Sequence, residues 1–189
     1  MPWGDAGPPL PAWVTAARTR PLVYLTFGTV PFVALPVLRE AARGLAGLDA
    51  DVLVAVGPGS DPAAVGPLPA HVRVERFVPQ AAVLGHADLV VHHGGSGTTL
   101  ACLARGLPQL VLPQALPDQA LNAANVSGAG AGLLLEPHEV TAGAVADRAR
   151  ALLADPGYAE RAGRIRRSIA RMPGPAQTVP VLRALVTGR

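Results

Sequence analysis

Residues 88–105 read DLVVHHGGSGTTLACLAR. The first five, DLVVH (88–92), form a short apolar run of β-type residues. Glycines and small hydroxyl residues follow, and the pattern of 96–105 is helical. A buried strand that passes through a glycine turn directly into a helix is the repeating piece of an alternating α/β chain. The same order recurs on both sides. Upstream, LVYLTF (22–27) ends at Gly28-Thr29, and Pro31 opens an amphipathic stretch to about Ala46. DVLVAV (51–56) follows, then VRVERF (72–77) before a short helix at 80–85. Downstream, QLVLP (109–113) precedes a helix at about 118–127, and GLLL (132–135) precedes helices at about 142–153 and 157–170. Short, almost wholly apolar strands alternating with helices predict a doubly wound parallel sheet of about six strands with helices on both faces. No internal repeat of fixed period is present. Residues 1–20, rich in Pro and Gly, are expected to be an extended lead-in or linker, and 21–189 the folded domain.

Composition agrees with one globular domain. The chain has 189 residues, of which 50% are hydrophobic and 15% charged, which suits a packed core and not a disordered chain. The net charge is +3, and every basic residue is Arg. The basic cluster Arg161, Arg164, Arg166, Arg167 and Arg171 falls at helical spacing without interleaved aromatics, so it reads as a solvated helix face and no nucleic-acid partner is expected. Charged residues, Pro or Gly break every apolar run before the roughly 18 residues that a membrane span needs. The start MPWGDAGPPLP lacks the basic and apolar regions of a signal peptide, so a cytoplasmic location is expected. The single Cys102, in the apolar stretch TTLACLA, excludes an intrachain disulfide and a multi-cysteine metal site and reads as a core residue.

In a Rossmann-like sheet the ligand sits at the carboxyl ends of the strands, where loops enter helix N-termini. Three loops stand out there: Gly28-Thr29, His93 to Thr99, and Pro113 to Asn122. HHGGSGTT carries the most chemistry. Glycines let the backbone approach a ligand and turn its N–H groups toward it, the following helix supplies its positive end, and Ser and Thr hydroxyls donate to phosphate oxygens. An anion is expected here. The loop is neither G-x-x-x-x-G-K-[ST], since the chain has no Lys, nor G-x-G-x-x-G after the first strand. It also suits a tight turn whose helix is capped by Ser96 or Thr98. His92, at the strand end, reads as packed. His93, beside the glycines, is placed to offer a ring N–H to a phosphate oxygen.

Three segments taken together, FVPQAAVLGH (77–86), HHGGSGTTLA (92–101) and LPQALPDQALNA (112–123), resemble the donor-binding signature of the UDP-glycosyltransferase superfamily of GT-B glycosyltransferases. The likeness is to the bacterial enzymes that glycosylate antibiotics and other natural products. It runs from about Leu22 to about Leu185, and PLPAWV (9–14) resembles the segment preceding the C-terminal domain in that family. Nothing here resembles the family's N-terminal domain, which binds the acceptor and supplies the catalytic base. The resemblance therefore implies the donor-binding half of an inverting glycosyltransferase, with no catalytic residue in this chain and no activity when it is alone. It places Phe77 against the nucleobase, the Val78 main chain on the base edge, and Gln80 near base and ribose. Gly28 and Thr29 approach the diphosphate, which His93, Gly95, Ser96, Gly97 and Thr98 hold. Asp118 and Gln119 match the pair that grips sugar hydroxyls; Asp118 also suits an N-cap. Phe77 also suits a core aromatic closing the third strand. Charge on the departing nucleoside diphosphate is met by N–H groups, so no metal is expected.

One position departs from the family pattern. Plant members and some bacterial ones carry a Glu on both ribose hydroxyls three residues after the Ser/Thr of the loop. Ala101 stands there, which favours a dTDP-sugar over a UDP-sugar. Two other readings stay open: a non-catalytic nucleotide-binding module or activator partner, and a nucleotide-sugar epimerase or cell-wall glycosyltransferase of the same architecture.

Overall fold

A computed structural model describes residues 9–28, 35–114 and 116–187. Six parallel strands form one sheet: β1 (Leu22–Thr26), β2 (Asp51–Ala55), β3 (Val72–Glu75), β4 (Leu89–His92), β5 (Gln109–Val111) and β6 (Gly132–Leu134). Their order across the sheet is β3-β2-β1-β4-β5-β6. The chain winds outward in one direction from β1 to β3, then crosses back to place β4 on the other side of β1. Thr26 is thereby paired with both Ala55 and His92. This central reversal is where a doubly wound sheet opens a crevice at its carboxyl edge.

Alternation along each strand sends side chains to two faces. Val23 and Leu25 of β1 join Val52, Val54, Leu89, Val91 and Leu110 under α2 (Leu35–Leu45) and α6 (Ala142–Ala154), which contribute Leu38, Leu45, Val145 and Leu152. Leu22 and Tyr24 join Leu53, Val90, Val83 and Cys102 on the opposite face, under α3 (Gln80–Val83) and α4 (Ser96–Arg105). A smaller cluster, Val111, Ala123 and Val126, seats α5 (Pro117–Gly128). Burial raises the Cys102 thiol pKa and pushes Tyr24 up to about 12, as expected of groups that would ionise inside apolar packing.

Two segments differ from the sequence expectation. The described part of the lead-in, residues 9–20, is docked, since α1 (Ala12–Thr15) places Val14 at zero exposure among Leu22, Tyr24 and Val90. Arg73 stacks over the Trp13 ring at 4.6 Å, and Arg18 donates to the His86 carbonyl at 2.7 Å. A buried Val contributes roughly 1.5–3 kcal/mol, enough to fix a segment that composition alone marks as loose. Beyond α7 (Pro156–Ala170) the chain forms a further helix, α8 (Pro175–Thr187), with Pro180 inside it. Proline in a helix interior removes a backbone donor, which is why the pattern there does not read as helical. Among the described residues no helix is long and apolar enough to cross a membrane.

Candidate functional site

The site is built at the carboxyl ends of β1 and β4. Gly94 follows β4 with φ of 89°, a left-handed conformation in which a side chain is strained, and a Cβ there would lie 2.8 Å from the Gln119 carbonyl. Its N–H donates to Nδ1 of His92 at 3.0 Å. Nδ1 is therefore the accepting nitrogen, and Nε2 carries the proton that it donates to Oε1 of Gln109 at 2.8 Å. Complete burial holds the His92 pKa down at about 4, so the ring is neutral. His92 is packed, as its position at the strand end suggests, and it also pins the turn that follows. Gln109, which sequence reasoning did not single out, orients that ring, and its own Nε2 is buried without a partner.

His93 leaves the strand on the other side. Its ring lies over the loops, edge-on to Phe27 at 6.1 Å between centroids. A Cβ on Gly95 would sit 2.5 Å from its Nε2, and one on Gly28 would sit 3.1 Å from its Cε1. Both glycines thus make room for the imidazole. Nδ1 is buried and faces the Thr26 main chain without a well-formed hydrogen bond. Burial pushes the His93 pKa below the ordinary imidazole value, and the Asp118 carboxylate acts the other way. A half-buried imidazole beside glycine N–H groups and near a carboxylate is well placed to gain a proton when an anion arrives.

α4 begins at Ser96 with Gly95 as its N-cap, and no side chain caps it. This excludes the alternative in which Ser96 or Thr98 closes the helix. Thr98 is buried and its hydroxyl points to Oε1 of Gln80 at 3.4 Å, while Ser96 and Gly97 are exposed. The first-turn N–H groups of α4 thereby face the crevice with the helix dipole behind them.

A cleft of about 310 Å³ adjoins this loop and is lined by Thr26, Gly28, Phe77, Val78 and Gln80. β3 ends at Glu75, so Phe77 lies past the strand and is 47% exposed. It is not the core aromatic that its neighbours would allow; an exposed ring over a cleft is a stacking surface. The Val78 side chain is buried, which fixes the main chain at the cleft wall. Ala101 is half-buried and packs on the cluster containing Cys102.

α5 supplies the third loop. Pro117 occupies its first turn and Leu116 is the N-cap, so Asp118 lies inside the helix and does not cap it. Asp118 is exposed, whereas Gln119 is buried and its Oε1 accepts from the Gln114 N–H at 2.9 Å. One turn on, Asn122 donates from Nδ2 to the Gly94 carbonyl at 2.8 Å and to Oγ of Ser96 at 3.1 Å. Asn122 was not among the residues that the sequence singled out; the signal was its placement four residues after Asp118, on the same helix face. Thr29 lies outside the described residues.

The fold is shared with known proteins. A family model described as "Erythromycin biosynthesis protein CIII-like, C-terminal domain" matches residues 39–185. The chain is 37% identical over 182 residues to the TDP-daunosamine transferase DnrS of Streptomyces peucetius, covering 93% of this chain and 42% of that protein. Among solved structures, spinosyn forosaminyltransferase SpnP superposes with a TM-score of 0.84 at 34% identity, covering 94% of this chain and 47% of that one. The glycosyltransferase VinC, solved in complex with dTDP, superposes with a TM-score of 0.81 at 33% identity, covering 97% and 46%. The chain spans about two-fifths of the length of the curated relatives that it matches.

Proposed function

Because this chain belongs to the family of erythromycin biosynthesis protein CIII-like C-terminal domains, we propose that it is the donor-binding half of a glycosyltransferase that delivers a sugar from a nucleoside diphosphate to a small-molecule natural product. One observation carries this reading. At the β1/β4 reversal, Gly28, Gly95, the His93 ring and the uncapped start of α4 converge beside a cleft edged by Phe77 and Gln80. A diphosphate fits the first group and a nucleobase the second.

In the proposed reaction an acceptor hydroxyl displaces the nucleoside diphosphate in line at the anomeric carbon, with inversion. A C–O bond forms to the acceptor, the C–O bond to the β-phosphate breaks, and the bonding electron pair leaves with the diphosphate. The hydroxyl proton passes to a base in the acceptor-binding half. His93, the Gly95, Gly97 and Thr98 N–H groups and the Ser96 hydroxyl would meet the charge that develops on the leaving group, which lowers the barrier without a metal ion. Asp118 and Gln119 would hold the sugar. Ala101 offers nothing to a ribose 2′-hydroxyl, so dTDP is favoured over UDP. DnrS is a TDP-daunosamine transferase and VinC was solved with dTDP, which supports that choice.

The 189 residues alone are expected to bind dTDP more tightly than UDP and to transfer no sugar. Calorimetry with each nucleotide, followed by a transfer assay with a dTDP-sugar and an aglycone, tests this. Turnover by these residues alone, or tighter binding of UDP, overturns the corresponding part.

A further inference from the structure

Asn122 is the side chain that reaches from α5 into the glycine loop. Its carboxamide orientation is determined, because the Gly94 carbonyl can only accept and so must face Nδ2. The second Nδ2 proton then goes to Oγ of Ser96. Two consequences follow. A hydroxyl that accepts from Asn122 cannot also donate along that bond, so the Ser96 proton is left to turn toward a ligand. Ser96 is exposed. The chain contains no cis peptide bond among the described residues, so the Gly95 N–H points opposite to the Gly94 carbonyl that Asn122 holds. That N–H is therefore aimed away from α5. With the Gly94 N–H held by His92, both peptide planes flanking Gly94 are fixed.

We propose that Asn122 is a positioning residue that turns the Ser96 hydroxyl and the Gly95 N–H into hydrogen-bond donors toward the diphosphate, without touching the nucleotide itself. This rests on the donor-binding reading above. Asp118 lies one turn earlier on the same helix, so α5 ties the group that faces the sugar to the donors that face its leaving group.

The test compares dTDP with thymidine, which shares the base and sugar but lacks the phosphates. In the 189-residue chain, Asn122→Ala is expected to weaken dTDP binding by roughly tenfold, on the scale of two neutral hydrogen bonds. Thymidine affinity, followed by ligand-observed NMR titration, is expected to change by less than about twofold. In a Ser96→Ala background the loss of dTDP affinity caused by Asn122→Ala is expected to shrink, because one of the two oriented donors is already gone. If Asn122→Ala fails to fold, Asn122→Gln keeps the carboxamide but displaces it by one methylene, and the same comparison applies. Equal weakening of dTDP and thymidine, equal loss in both backgrounds, or no loss at all overturns the assignment. If the wild-type chain binds dTDP and Ser96→Ala weakens it while Asn122→Ala does not, only the positioning role falls. A wild-type chain that binds no dTDP overturns the donor-binding reading and this inference together.

Discussion

The two adjacent histidines occupy different environments and should respond differently to substitution. Burial holds His93 below its ordinary pKa, and under the proposed function a bound phosphate would raise it. dTDP binding is therefore expected to take up a proton, seen as a calorimetric enthalpy that varies with the ionisation heat of the buffer. His93→Ala should abolish that dependence and weaken dTDP by tenfold or more, since a charge-assisted hydrogen bond contributes about 1.5–3 kcal/mol. His86→Ala, outside the site, should do neither. His92 is a matter of stability. Its folded pKa of about 4 lies below the unfolded value of 6.5, so the unfolded chain binds more protons between those values. The stabilisation is complete above about pH 6.5 and is lost as pH falls toward 4, by about 3 kcal/mol in all. His92→Asn keeps an acceptor for the Gly94 N–H and removes the titration. Denaturation midpoints measured from pH 7 to pH 4 should fall more steeply for the wild type than for His92→Asn.

At the scale of elements, α2 and α6 are pressed together at Gly44. A Cβ there would lie 2.4 Å from the Ala142 carbonyl and 3.0 Å from the Val145 Cβ, while Glu40 on α2 accepts from the Ala142 N–H at 3.1 Å. Ala normally improves on Gly in a helix by about 1 kcal/mol. At Gly44 the clash is with backbone, so Gly44→Ala should instead destabilise by about 1–3 kcal/mol. Gly143, in α6, has nothing within 4 Å of the position of a Cβ, and Gly143→Ala should stabilise. Chemical denaturation of the pair checks both signs. The strands were legible because parallel strands covered on both faces leave uninterrupted apolar runs, as in LVYLT and DLVVH. The glycine turn was legible because the adjacent Gly94 and Gly95 interrupt the passage from an apolar strand pattern to a helical one. What pattern could not convey was contact at a distance: Val14 inserting beside Tyr24, Gln109 behind His92, and Asn122 under Gly94. Asp118 suits a cap until Pro117 is seen to start the helix one residue earlier.

For the molecule as a whole, α8 stands apart from the core. None of its described side chains is buried, and Leu185 and Val186 are 76% and 88% exposed. Its removal should cost little burial. A chain ending at Pro173 is expected to keep its melting temperature within about 4 °C, the shift that roughly 1 kcal/mol gives a domain of this size. Its dTDP affinity should also be retained. A larger drop would mean that α8 supports the sheet.

The strand order also bears on how the chain comes to be folded. No two neighbouring strands are joined by a hairpin, because every pair is parallel and each step needs a crossover. As the polypeptide leaves the ribosome, β1 can pair with β2 early, but its other edge must wait for Leu89–His92 to be made. During that interval LVYLT presents an open, apolar, β-prone edge. Slow pairing between distant segments is typical of such topologies. A helper that shields β1 until β4 arrives is therefore expected to raise the yield of folded protein.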